Sequence, residues 1–324
     1  MKKTFLIFLG LMAAAPLAYA QTRDYPSRPL KLIAPFAPGS GADRSGRFFG
    51  ELLGKVLGQP AVVENRAGAS GAVGAVAVKN APADGYTLLI AGWSAQAVSP
   101  IVVEDLPYDP IKDFKPISGL TRSALGFFVP GNSKINSLPD LLAAAKSGKQ
   151  LLSVGTISQG QAIIVAWFSG MAGVKFLTVP YKSGGQMLTD LMSGQIDWAT
   201  ENIPSTTPLV RAGKLKMLAT SGEARHPEHP AVPTVKESGY PQFVNYGWSG
   251  LYVRSDTPDD IVAILANAMQ KVHAMPESRE FAKKLGSELM NLGPAAMRKY
   301  EADQLATFRG VAQAAGIKAK KMGN

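Results

Sequence analysis

The stretch from Arg28 to Ala91 reads RPLKLIAPFAPGSGADRSGRFFGELLGKVLGQPAVVENRAGASGAVGAVAVKNAPADGYTLLIA, and its punctuation decides the fold. Lys31 to Phe36 is a short apolar run flanked by prolines, which suits a buried parallel strand. Pro38, Gly39, Ser40 and Gly41 then force a sharp turn. Asp43 is placed to cap a helix carrying Phe48, Leu52, Val56 and Leu57 on one face. Ala61 to Glu64 forms the next strand, and Arg66 to Gly71 is a second small-residue loop that enters a second helix. Pro82 to Gly85 closes that helix, and Tyr86 to Ile90 is a third buried strand. Two loops of nearly bare backbone thus sit at strand C-termini and feed helix N-termini. Unpaired N–H groups and the positive helix end make such places anion sites.

At the N-terminus, Met1 to Ala20 joins Lys2 and Lys3 to an apolar run from Phe5 to Ala15, and Ala18-Tyr19-Ala20 precedes Gln21. That is the pattern of a cleavable secretory signal. No other stretch approaches the ~20 apolar residues of a membrane span. The 324 residues contain no cysteine, which excludes disulfides, thiolate metal sites, cysteine nucleophiles and a lipid-anchored start. A soluble periplasmic protein is expected. The formal charge is +10, and loss of Lys2 and Lys3 leaves +8. Only Lys318-Ala319-Lys320-Lys321 forms a basic run, read as a solvated tail. The charge therefore points to anionic solutes, with no nucleic acid partner.

Along the chain, Asp105 to Pro116 reads as a surface connection and Leu120 to Val129 as a crossing strand. A second αβ pattern follows. Ser137 caps a helix over Leu138 to Lys146, and Leu151 to Val154 is a strand. A polar loop, Gly155 to Gly160, leads to a helix with Ile163, Ile164, Trp167, Phe168 and Met171 on its apolar face. Phe176 to Pro180, Asp197 to Thr200 and Lys216 to Ala219 are further strands. Trp248 to Val253 is a second crossing strand, and the chain beyond it is helical, with Thr257-Pro258 starting a helix cored by Ile261, Leu265 and Met269.

Catalytic motifs fail on spacing. Gly39-x-Gly41 lacks the third dinucleotide glycine, since Arg44 stands there, and Gly50-x-x-x-Gly54-Lys55 is one residue short of a phosphate loop. Gly92-Trp93-Ser94-Ala95-Gln96 lacks the closing glycine of a nucleophile elbow. His226 and His229 lie in a proline-flanked loop, HPEHP, and His273 on an amphipathic helix; no cofactor or metal site is expected.

Several ordered blocks carry a family resemblance: PFAPGSGADRSGR, ENRAGASGAVGA, ADGYTLLIAG, LPYDPIKDFKPIS (Leu106 to Ser118), VPYKSGGQMLTDLMSGQID (Val179 to Asp197), RAGKLKMLATSGEAR and YGWSGLY. Together they resemble the Bug-type periplasmic receptors, the solute-binding subunits of tripartite tricarboxylate transporters, over almost the whole mature chain. The resemblance implies an α/β, two-lobed periplasmic binding protein of the type II-like, Venus-flytrap kind with two crossing strands. Residues 21–126 and 248–324 would form one lobe, and 127–247 the other. It also implies a ligand carboxylate held through ordered waters and loop backbone.

On that reading the first lobe offers Phe36, Pro38, Gly39, Ser40, Gly41, Asp43, Ala69, Ser70, Gly71, Trp93 and Ser94, with Asp43 a cap or cleft organiser. The second offers Thr156, Ser158, Gln159, Gln161, Tyr181, Lys182, Ser183, Glu201 and Asn202. Glu201-Asn202 stands where the family usually has Asp-Asn. Trp93 replaces a small polar residue, and Ile163-Ile164 stands where many members have a histidine. These departures favour an aromatic or hydrophobic-bodied carboxylate, an aromatic dicarboxylate included, over citrate.

The leading reading is a monomeric receptor that closes on a small organic carboxylate and passes it to membrane transporter subunits. The alternatives are a secreted serine hydrolase using Ser94 and a ligand-loaded co-receptor for a sensor kinase. The signal pattern makes one direct prediction: intact-mass analysis of the exported protein gives a chain beginning at Gln21, and a retained leader would contradict it.

Overall fold

The computed structural model describes residues 25–148 and 150–321, so the expected leader lies outside it. The chain opens with β1 (Leu30–Ala34), α1 (Gly41–Leu57), β2 (Ala61–Asn65), α2 (Ala72–Lys79, entered through a single turn at Ala69–Gly71) and β3 (Thr87–Gly92). A π-helical turn at Ser94–Val98 runs into α3 (Ser99–Val102), β4 (Val103–Glu104) and β5 (Phe114–Pro130). β1 pairs in parallel with β2 and β3, as two strand–helix–strand crossovers require.

A second unit repeats the plan with α4 (Leu138–Lys146), β6 (Ser153–Thr156), α5 (Gln159–Ala172), β7 (Leu177–Pro180), α6 (Gly184–Met192), β8 (Trp198–Asn202), α7 (Ile203–Arg211) and β9 (Leu215–Thr220). Here β6 lies parallel to β7 and β8. The chain then returns through β10 (Tyr246–Arg254), α8 (Asp259–Ala274), α9 (Pro276–Lys284), β11 (Glu288–Leu289), α10 (Pro294–Ala314) and β12 (Lys320–Lys321).

The two units form two lobes, and β5 belongs to both. Up to Ala124 it pairs antiparallel with β10; from Leu125 it pairs with β8 and β9. It is longer than the crossing strand expected from Leu120 to Val129, because Phe114 to Gly119 also pairs with β10. Ser221, fully buried, ties the two crossings together. Its hydroxyl accepts from Leu125 N–H at 2.9 Å and donates to the Asn245 carbonyl at 2.6 Å. Its own N–H and C=O bond the same two residues at 2.8 Å each.

Each lobe has its own core. In the first, Leu32, Phe49, Leu53, Leu265 and Met269 fill one side of the sheet, and Tyr252, Met297 and Phe308 the other. In the second, Phe127 stacks on Trp198 with ring centroids 5.6 Å apart, Phe168 meets both rings edge-on and Phe243 meets Phe127 edge-on. The buried face of α1 is Phe49, Leu52 and Leu53 rather than the expected line through Phe48, which is half-buried and stacks on Phe281. The basic segment read as a solvated tail is not free either: Lys320 and Lys321 pair in parallel with Val103 and Glu104.

Four helices begin with one local device. Ser40, Ser137, Ser158 and Ser183 each accept the N–H three residues on, from Asp43, Asp140, Gln161 and Gln186. In the first three the acidic or amide side chain reaches back: Asp43 accepts from Gly39 N–H, Asp140 from Asn136 N–H and Gln161 from Ile157 N–H. Ser40, not Asp43, therefore caps α1. Gly39, at φ 80°, turns the chain early enough for the helix to start at Gly41.

Arg47, 2.9 Å from the Asp43 carboxylate, together with the Gly39 N–H and the Asn65 amide, holds that carboxyl down at about 2. A carboxyl lower in the folded than the unfolded state stabilises above its unfolded value and loses that stabilisation as the pH falls through its folded value. Asp43→Asn is expected to cost about 2 kcal/mol at pH 7 and roughly half that at pH 3, measured by urea unfolding. A penalty independent of pH over this range would show that the charge is not what matters.

Candidate ligand-binding cleft

Between the lobes lies a cleft of about 690 Å³. The hinge strands supply its floor with Thr121, Ser123, Gly247 and Ser249, the start of α1 supplies one wall, and Asn202, Pro204 and Ser205 supply the other. Its charged lining residues are Arg44 and Lys284, with no carboxylate among them. Among the described residues neither cation has an ion-pair partner.

The α1 wall is rigid for a local reason. Asn65 at the end of β2 donates its amide to the Phe36 carbonyl and to Asp43, both at 3.0 Å, so the loop between β1 and α1 is stapled from behind. The N–H groups of Gly41 and Ala42 open the helix and have no carbonyl a turn below to accept them. The Ser40 hydroxyl already accepts one N–H, which leaves its O–H as a donor. Ser40, Gly41 and Ala42 thus bring three uncharged donors to the cleft wall that also carries Arg44.

Trp93 follows β3 and reaches across to the second lobe. A Cβ at Gly160, the second residue of α5, would stand 2.5 Å from the indole, so that position admits only glycine in this packing. The ring is half-buried, contacts the cores of both lobes and meets Phe308 edge-on at 6.5 Å. It therefore partitions the space between the lobes. Beyond it is a second chamber of about 440 Å³, lined in part by Ala69, Ser94, Ser158, Gln159 and Gly160. Trp93 and Ser94 face both spaces.

The residues singled out from the sequence separate accordingly. Phe36, Ser40, Gly41, Trp93, Ser94 and Asn202 line the main cleft; Ala69, Ser158 and Gln159 line the second chamber. Asp43 organises from behind, and Gly71 packs toward Phe36. Pro38 and Gly39 are exposed on the turn, and Ser70 contributes backbone to the turn before α2. Thr156 is buried at the end of β6, and the Gln161 side chain is occupied by Ile157 N–H and the Thr200 carbonyl. Tyr181 donates to Asp190, Ser183 caps α6, and Lys182 is exposed off both cavities.

Burial pushes the Glu201 carboxyl up, while Asn202 N–H and amide bond one of its oxygens at 2.7 and 2.9 Å. Ile163 and Ile164, expected to make the cleft apolar, are fully buried in core packing instead. Ile163 packs with Trp248 and Phe308 of the first lobe, so α5 docks across the interlobe boundary. Arg44 and Lys284 escaped notice for different reasons. With Ser40 as the cap, Arg44 is one turn into α1, a position the Ser-x-x-Asp pattern reveals. Lys284 arrives from α9, far along the chain, and no local pattern marks it.

Ser94 has no histidine beside it. His226 contacts the Gly286 carbonyl, His229 the Thr207 hydroxyl, and His273 Ser118 and the Gly119 carbonyl. Among the described residues, no three His, Asp or Glu side chains stand together as a metal site. The main cleft thus carries two cations and open helix N–H groups on its walls and no carboxylate.

Comparison with known proteins points the same way. Residues 46–317 match the Tripartite tricarboxylate transporter family receptor family. Protein BugT of Bordetella pertussis is 31% identical over 317 residues, covering 97% of each chain. An R. palustris protein solved with adipate superposes with a TM-score of 0.77 at 29% identity, over 92% of this chain and 100% of its own. MatC of Rhodopseudomonas palustris, solved with bound malate, gives 0.72 at 27%, over 89% and 99%. By sequence along nearly its whole length and by fold, this chain belongs to the tripartite tricarboxylate transporter receptor family.

Proposed function

We propose that this protein is a periplasmic receptor that closes on a small organic carboxylate and delivers it to the membrane subunits of a tripartite transporter. The observation that carries the reading is the cleft itself: its charged walls are cationic, and unpaired backbone donors open onto the same space. Relatives solved with adipate and malate support a carboxylate as the ligand class. We take residues 21–126 and 248–324 as one lobe and 127–247 as the other, with the hinge at the paired crossings near Leu125 and Asn245.

Trp93 supplies a flat apolar surface in the middle of the space, so the ligand body that fits is hydrocarbon, aromatic or aliphatic. A compact tricarboxylate would set a charge against that indole, and an unpaired buried charge costs several kcal/mol. Stacking contributes about 0.5–1.5 kcal/mol, so desolvation is the stronger discriminator.

A thermal-shift panel of hexanoate, benzoate, adipate, malate and citrate, followed by calorimetry, tests the reading. At least one carboxylate is expected to raise the melting temperature, with citrate the weakest. Arg44→Ala combined with Lys284→Ala is expected to weaken the best ligand about tenfold or more, which is about 1.4 kcal/mol. No shift with any acid, or full affinity in the double variant, would refute it.

A further inference from the structure

The lobes touch on both sides of the crossing strands, and the two contacts differ in kind. In the first sheet β10 and β5 lie side by side; β3 pairs with the outer edge of β10 and β11 with the outer edge of β5. Trp93 follows β3, and Gly286 precedes β11. The interlobe contacts that these two residues make are therefore separated by the crossing strands.

On the Trp93 side the contact is apolar and closed. Ile163 of α5 and Phe308 of α10 are wholly buried in one cluster there, although the first belongs to the second lobe and the other to the first lobe. Trp167 of α5 meets Phe308 edge-on at 6.3 Å, and Trp93 leans on Gly160. Parting the lobes along this seam would return two buried apolar side chains to water and open the first lobe's core.

On the Gly286 side the contact is thin. The turn between α9 and β11 sets Gly286, at φ 58°, against the Pro204 ring of the second lobe, so close that a Cβ on the glycine would stand 2.4 Å from the ring. Beside it the His226 Nε2 lies 3.4 Å from the Gly286 carbonyl, a long hydrogen bond. Pro204, His226 and Gly286 are all half-buried. Lys284 and Leu285, just before the glycine, line the main cleft together with Pro204, so this contact forms the cleft's rim.

We propose that the lobes part at the Gly286–Pro204 rim while the α5–α10 seam stays packed, which makes the turn beside Lys284 the gate of the cleft. Rotation that pivots on the seam gives up only the contacts of the thin side. It also opens the cationic cleft to water, where the hold of Lys284 and Arg44 on an anion weakens. The inference rests on the receptor reading above only for what passes the gate.

The chain has no cysteine, so paired cysteine variants of the mature protein carry spin labels at the chosen positions alone. Across the gate the pair is Arg211→Cys on α7 with Lys283→Cys on α9. Across the seam it is Gly170→Cys on α5 with Arg309→Cys on α10, and all four positions are exposed on helices. In pulsed-EPR measurements without added carboxylate, the seam pair is expected to give one narrow distance distribution, and the gate pair a spread at least about twice as wide that reaches to longer distances. Gly286→Ala, whose new methyl meets Pro204, should lengthen the gate distance and leave the seam distance as it is. Phe308→Ala should broaden the seam pair, and Phe308→Leu, which keeps most of the apolar fill, should leave it narrow.

A seam pair as broad as the gate pair, or a gate pair as narrow as the seam pair, overturns the proposal. A seam distance that lengthens in Gly286→Ala, or that stays narrow in Phe308→Ala, overturns it as well. These distances are read without ligand, so their failure leaves the receptor reading to the carboxylate panel. Failure of that panel in turn leaves the gate standing as a motion of the two lobes.

Discussion

A single strand hydrogen-bonds in two sheets, and most of the molecule follows from that constraint. β5 satisfies its backbone against β10 through Ala124 and against β8 and β9 from Leu125, so two sheets must diverge at one peptide. Backbone groups at such a point cannot be left unpaired in a buried place. Ser221 resolves this by bonding Leu125 and Asn245 with both its side chain and its main chain. The divergence opens a space above the crossing, and parallel strands from both lobes aim their C-terminal ends into it. The cleft is thus a consequence of sheet connectivity before any ligand chemistry is considered.

What fills the cleft's walls is then set by helix capping. Parallel strands feed helix starts, and each start carries unsatisfied N–H groups. Here the serine caps and the back-reaching Asp43 and Gln161 consume some donors and fix the loops, while others remain open to the cleft. Carboxylates in this region work behind the walls. Asp43 is tied to Arg47 and Asn65, and Glu201 to Asn202. That leaves the lining net positive without requiring a basic cluster anywhere in the sequence.

Trp93 occupies an intermediate place between architecture and recognition. It packs with both cores and leans on Gly160, so it helps hold the lobes together. The same ring lines both the main cleft and the chamber beyond it. Phe308 of α10 continues the contact, meeting both Trp93 and Trp167 of α5 edge-on. The lobes therefore meet through aromatic packing on one side of the cleft and through polar hinge strands at its floor.

Local chemistry was legible in the sequence because it depends on neighbours in the chain. The Ser137 cap and the apolar spacing from Ile261 to Met269 stand where the residues place them, and the strand runs other than β5 lie within about two residues of the expected bounds: β6 is Ser153–Thr156 rather than Leu151 to Val154, because Gly155 and Thr156 pair with β7. The start of α1 was misread by three residues, though the Ser-x-x-Asp pattern was present, because Ser and Asp are equally good caps in isolation. Ile163 and Ile164 were legible as apolar; their facing was not, since the other lobe is what covers them. The same limit applies to Lys284, to the strand pairing of Lys320 and Lys321, and to Trp93 spanning both lobes. Each depends on contacts between residues far apart in the chain, and those are decided only when the sheets close and the cores pack.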